Sequence, residues 1–118
     1  MFAMLMGLKS IAPRELHALQ GHSGQGAPTV VDVNARHSWL KARVPGAINL
    51  PPEFEAAMLP ADRAAPLVFY CSNPLCRKAP QAARKAEKLG YADVRVMSAG
   101  ITGWVGAHLP VESGEGAG

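Results

Sequence analysis

Two short apolar runs, TVVDV (29–33) and PLVFY (66–70), interrupt an otherwise mixed chain. Runs of this length without polar alternation are expected of strands buried on both faces, as in a parallel sheet. AINL (47–50) and VRVM (94–97) carry a weaker form of the same signal. Between these runs the period changes from strand to helix. PRELHALQ (13–20) predicts a helix with Pro13 in its first turn and Gly21 just past its end. ARHSWLKA predicts a second, short helix over about 36–42. The strongest helix signal runs from about Pro80 to Leu89. Ala79, Ala82, Ala83, Ala86 and Leu89 recur there at helical spacing, charges face the other way, and Gly90 supplies the stop. Alanines on the buried face let such a helix lie close against a sheet. GHSGQGAP (21–28) reads as a loop and SGEGAG (113–118) as a flexible tail. Strands alternating with helices predict an α/β fold, a parallel sheet covered on both sides, in one domain over residues 1–112. Ligands bind such sheets outside the carboxyl ends of the strands, and Cys71 falls at one of those ends.

Composition narrows the picture without deciding it. A chain of 118 residues holds one core and not two. Its 48% hydrophobic and 18% charged residues are ordinary for a globular domain. The net charge of +3 is concentrated: Arg77, Lys78, Arg84, Lys85 and Lys88 stand against Glu87 alone within residues 77–89. Two readings fit, a solvated helix face or a field that draws small anions to the neighbouring loop. The basic residues have no aromatic residues interleaved and form no nucleic-acid motif, which argues against nucleic acid as a partner. The opening MFAMLMGL is apolar but too short for a membrane span, and it lacks the basic flank and cleavage site of a signal peptide. No membrane partner is expected, the expected location is cytoplasmic, and the chain suggests no particular oligomeric state.

The chemistry concentrates in FYCSNPLCRKAP (69–80), where two thiols and a guanidinium follow a buried strand. A free thiol has a pKa of about 8.5, so little of it is the nucleophilic thiolate at neutral pH. A loop between a strand and a helix turns backbone N–H groups inward, and the positive end of the helix dipole adds to them. Arg77 brings a planar fork of donors. Together these favour a Cys71 thiolate, and the same cradle suits a small oxyanion. The expected site is therefore Cys71 as nucleophile, with the backbone amides of Ser72, Asn73, Leu75 and Cys76 and the Arg77 guanidinium holding the anion. The bland alternative is a buried structural cysteine at a strand end.

Three stretches, VVDVNARHSWLKARVPGAINLP (30–51), the cysteine loop after LVFY, and GYADVRVMSAGITGW (90–104), resemble the signature regions of rhodanese-like domains. The resemblance covers about residues 8–112. It implies a five-stranded parallel sheet with helices on both faces. It also implies a catalytic cysteine, carried over to Cys71, that accepts sulfane sulfur as a persulfide and passes it to a thiophile without a cofactor. The chain departs from the family pattern at several points. Asn34 stands where many members have arginine, and Ala42-Arg43-Val44 replaces a Gly-His-Ile stretch. The usual Cys-x-x-Gly-x-Arg-Ser loop has Pro74 in place of its glycine and is slightly longer. Cys71-x5-Arg77 matches the spacing of rhodanese-like phosphatases and arsenate reductases, although those carry histidine where this chain has Tyr70. The chain looks closest to a subgroup with a Cys-x-Asn-Pro-x-Cys loop.

Cys76 keeps three readings: a small loop residue, a resolving cysteine that forms a disulfide with Cys71, or a metal ligand with it. His17, His22, His37 and His108 are scattered and lack ligand spacing, so they are expected on the surface and no metal is assigned. Glu53 and Glu55 read as an exposed acidic pair. Asp32 is expected to hold loops through backbone hydrogen bonds. Arg36 and Arg43 read as solvated helix residues, and Trp39 and Trp104 as covers at the core edges. Ser98-Ala99-Gly100 stands where the family often has a glycine pair, which suggests a close backbone approach. The leading expectation is a sulfurtransferase using a small anionic sulfur donor and a thiol acceptor. Behind it stand a sulfur-carrier or redox-sensing module without turnover, and an oxyanion enzyme.

Overall fold

A computed structural model describes residues 7–21 and 26–115. The apolar opening up to Met6, His22 and the last three residues, all considered above, lie outside that range. Five strands form one parallel sheet: β1 Lys9–Ser10, β2 Thr29–Asp32, β3 Ile48–Asn49, β4 Leu67–Tyr70 and β5 Val94–Val96, in the order β1-β5-β4-β2-β3. Among the described residues there are four helices: α1 Pro13–Gln20, α2 Arg36–Lys41 and α3 Lys78–Lys88 connect strands, and α4 Gly100–Gly106 follows β5. A single 3-10 turn covers Ala56–Met58. This is the expected α/β architecture.

β4 is the central strand, paired with β2 on one side and β5 on the other. Its side chains alternate between two cores. Leu67, Phe69 and Cys71 point into a cluster with the α3 alanines, Phe54 and Leu59. Val68 and Tyr70 point into a second cluster with Leu16 of α1 and Trp104 of α4. All four β4 residues are buried, so the absence of polar alternation in LVFY follows directly from having a helical layer on each face. Replacing Phe69 with alanine would cost about 3–5 kcal/mol, the usual penalty for emptying an aromatic site in a core.

α3 ends as its sequence demands. Gly90 has φ +103, the Gly90 amide bonds the Glu87 carbonyl (3.0 Å), and the Tyr91 amide bonds the Ala86 carbonyl (3.2 Å). At its other end Pro80 lies in the first turn, where the missing N–H has no intrahelical partner to lose. α1 begins with Pro13, and the Glu15 carboxylate accepts the Ala12 amide (2.9 Å).

Several expectations need correction. Arg43 is not a solvated helix residue. The chain leaves α2 at Ala42 in an extended conformation, and Arg43 forms an antiparallel bridge with Glu112. Its side chain is 1% exposed, with the guanidinium carbon 4.0 Å from the Trp39 ring centroid and Nη1 donating to the Trp39 carbonyl (3.2 Å). Arg36 is exposed as expected and pairs with Glu115 (2.7 Å). Trp104 lies inside a core rather than at its edge, and its indole N–H donates to the Pro110 carbonyl (2.7 Å). Each central strand signal also ran one residue too far, since β2 stops at Asp32 and β4 starts at Leu67.

Candidate active site

The chain leaves β4 at Cys71 and winds through Ser72–Arg77 into α3. Two sets of interactions hold the head of this loop. The first comes from the amino end of α4, whose first-turn N–H groups have no partner within their own helix. The Ile101 amide donates to the Cys71 carbonyl (3.0 Å) and the Thr102 amide to the Ser72 carbonyl (3.0 Å). The Thr102 hydroxyl donates to that same Ser72 carbonyl (2.7 Å). Gly100 makes this approach feasible. It has φ +68, and a Cβ there would stand 2.5 Å from the Ser72 carbonyl carbon and 2.7 Å from the Asn73 nitrogen. Only glycine fits, which is the close approach expected of Ser98-Ala99-Gly100.

The second set comes from the carboxyl ends of β2 and β3. The Ser72 hydroxyl donates to Asn34 Oδ1 (2.8 Å). The Asn49 amide group donates to the carbonyls of Asp32 (3.0 Å) and Asn34 (2.9 Å). Asp32 Oδ1 accepts the Asn34 amide (2.8 Å), and Oδ2 accepts the Tyr70 hydroxyl (2.6 Å). The Tyr70 oxygen in turn accepts the Val44 amide (3.1 Å). Burial pushes the Asp32 carboxyl above its ordinary value, while the hydrogen bonds from Tyr70 and Asn34 pull the other way. Burial beside that carboxylate also raises the Tyr70 phenol, which therefore stays protonated and donating. Asp32 holds loops as expected, but through a tyrosine hydroxyl as well as through backbone.

The tip of the loop folds on itself. Asn73 Oδ1 accepts the Leu75 amide (2.9 Å), and the Asn73 carbonyl accepts the Cys76 amide (3.1 Å). Pro74 between them has no N–H to offer. The Leu75 and Cys76 amides, expected to face an anion, are thus engaged by Asn73. Cys71 and Cys76 are joined as a disulfide with a Cα–Cα distance of 6.4 Å. The cavity beside them, lined by Asn73, Pro74, Ala79, Pro80, Val96, Met97 and Ser98, holds only about 10 Å³. Ser98 Oγ is buried there without a hydrogen-bond partner.

Arg77 stands exposed at the amino end of α3, beside exposed Lys78. Lys85, read either as part of a solvated face or as part of an anion-attracting field, is turned to the Phe54 carbonyl and lies 4.0 Å from the centroid of that ring. Glu53 and Glu55 are exposed, as are His17, His37 and His108. Among the described residues no three His, Cys, Asp or Glu side chains gather into a metal-binding group. A surface depression of about 630 Å³ lies among Gln20, Thr29, Pro45 and Pro110 at the amino ends of the strands, away from Cys71.

A family model described as Rhodanese-like domain matches residues 13–107. The chain belongs to the rhodanese-like domain family. It is 37% identical over 92 residues to the HTH-type transcriptional regulator Rv0324 of Mycobacterium tuberculosis, across 75% of this chain and 39% of that protein. It is 32% identical over 91 residues to YibN of Escherichia coli K12, across 73% of this chain and 62% of that one. The match therefore spans less than two thirds of either relative. A thiosulfate sulfurtransferase from Pseudomonas aeruginosa shares the fold with a TM-score of 0.81 at 19% identity, covering 96% of this chain and 22% of that one. Within this rhodanese-like domain, Asn34, where many members carry arginine, ties the Cys71 loop to β2 and β3. Asn49 and Tyr70 were not singled out as site residues from sequence, because nothing local marks a polar side chain whose partner lies on another strand.

Proposed function

We propose that this rhodanese-like domain is a cytoplasmic sulfurtransferase that moves sulfane sulfur through a Cys71 persulfide. The observation that carries the reading is the placement of Cys71 at the carboxyl end of the central strand, heading a loop that runs into the amino end of α3. The Cys71 thiolate attacks the outer sulfur of thiosulfate, a Cys–S–S⁻ bond forms, and the S–S bond of the donor breaks to release sulfite. With another persulfide as donor, a thiol leaves instead. The amides of Ser72 and Asn73, the positive end of the α3 dipole and the Arg77 guanidinium hold the anion. The Leu75 and Cys76 amides join them only when the Asn73 turn opens. A thiol acceptor then takes the sulfur. Among the described residues no helix is long and apolar enough to cross a membrane.

The test is sulfite release from thiosulfate by the fully reduced protein. Cys71→Ser should reduce it by several powers of ten while the fold is retained, as removal of a covalent nucleophile does. Sulfite release by Cys71→Ser above about a tenth of the wild-type rate would overturn the assignment. The Cys71-x5-Arg77 spacing favours a second reading, an oxyanion enzyme. That reading predicts hydrolysis of an aryl phosphate or reduction of arsenate by protein that releases no sulfite. A carrier or sensor module would load sulfur once, without turnover.

A further inference from the structure

Resting on that reading, we propose that Cys76 is the built-in acceptor of the loaded site, so that the domain discharges its sulfur as hydrosulfide and is reset by an external dithiol. The loop is shaped for this. The two hydrogen bonds to Asn73 bend the chain back over Pro74, and this brings the Cα atoms of Cys71 and Cys76 to 6.4 Å, within the range a disulfide spans. Cys76 packs half-buried against the same core that holds Cys71. In the bridged form Cys71 is only 3% exposed, and Cys76 stands beside it on the same short loop. A thiol held in place reacts as if at very high concentration, which favours it over any acceptor arriving from solution. The bridged state leaves about 10 Å³ beside the sulfurs, barely room for one water. Thiosulfate cannot enter it. The bridged form is therefore the end of a turnover and not the form that accepts sulfur.

The step balances as follows. Cys71 first takes the outer sulfur of thiosulfate and sulfite leaves. The Cys76 thiolate then attacks Sγ of Cys71, the Cys71–Cys76 bond forms, and the bond from Cys71 to the added sulfur breaks. That sulfur departs with the electron pair and one proton as hydrosulfide. The two protein thiols are oxidised by two electrons, and the sulfane sulfur is reduced by two. A dithiol restores the site by exchange through a mixed disulfide, starting at Cys76, the more accessible of the two sulfurs.

The experiment uses fully reduced protein, freed of reductant and given one equivalent of thiosulfate, with sulfite, hydrosulfide and intact mass all measured. Wild type should yield sulfite and hydrosulfide in equal amounts, and the protein should lose two hydrogens. Cys76→Ser should still release sulfite but keep the added sulfur until cyanide strips it, with hydrosulfide at least about tenfold lower. If wild type retains the added sulfur, or if Cys76→Ser releases as much hydrosulfide as wild type, the acceptor role is wrong and sulfur transfer stands. If neither protein releases sulfite, the sulfurtransferase reading falls and takes this one with it.

Discussion

Tyr70 precedes Cys71 and carries its weight through one oxygen, which makes Tyr70→Phe an informative substitution. That oxygen donates to Asp32 Oδ2 at 2.6 Å and accepts the Val44 amide at 3.1 Å, and both partners are buried. Phenylalanine keeps the ring and its packing in the core of β4 but orphans both groups. A buried amide without a partner costs about 1–3 kcal/mol, and a carboxylate oxygen losing its donor costs at least as much. The expected loss is about 3–4 kcal/mol, a large part of the stability of a small domain. In a thermal melt it appears as a fall of roughly 12–16 °C, and in urea as a lower midpoint at unchanged slope. The pH dependence carries a further check. Burial raises the Asp32 carboxyl, so this group favours the folded state most in acid, and that contribution fades as pH rises through its folded pKa. The Tyr70 bond opposes the shift by favouring the charged form, so its removal hurts most where Asp32 is ionised. The gap between wild type and variant should be widest near neutral pH and should narrow as acid protonates Asp32. A gap under about 1 kcal/mol at neutral pH, or one that widens in acid, would refute the reasoning.

Two further substitutions probe the loop itself. Gly100→Ala places a Cβ 2.5 Å from the Ser72 carbonyl carbon at φ +68, so the head of the loop must move; sulfite release should fall by about tenfold or more with the protein still folded, and unchanged release would show that the contact does not position Cys71. Ser98→Ala removes a buried hydroxyl that lines the cavity beside Cys71, and alkylation of the reduced thiol at neutral pH should slow about tenfold if that hydroxyl donates to the thiolate; an unchanged rate means it points elsewhere.

The architecture was legible because the central strands are buried on both faces and so write unbroken apolar runs. β1 was invisible for the opposite reason: Lys9–Ser10 is two exposed residues at a sheet edge, defined by pairing with β5 alone. α4 was hidden too. GITGWVG holds three glycines and would not form a helix by propensity. It forms because Trp104 is buried and its first amides bond the Cys71 loop. Arg43 was misread as an extension of the helix before it. Its surroundings come from Glu112, far along the chain, and no local pattern reports that. The position of Cys71 was readable because strand end, turn and helix start lie next to one another in sequence. The contacts of Asn34 and Asn49 were not, since they exist only once the sheet order has brought separate strand ends together.

That difference between local and distant contacts also divides the site. The head of the loop is held from outside, by α4 at the Cys71 and Ser72 carbonyls and by Asn34 at the Ser72 hydroxyl. The hydrogen bonds that shape the tip are internal: both start from Asn73, which is exposed, as are Pro74 and Leu75, the last at 72%. Breaking those two bonds in a solvated turn costs about 1 kcal/mol each, because water replaces them. Moving the head would disrupt bonds to two other elements at once. Cys71 is therefore the fixed half of the pair and Cys76 the movable half. Under the proposed function an arriving anion needs amides, and the ones within reach of release are those of Leu75 and Cys76, which Asn73 holds. Once a dithiol has reduced the disulfide, the same small rearrangement that carries Cys76 away from Cys71 would free them, so the reduced turn opens and offers its amides in one motion.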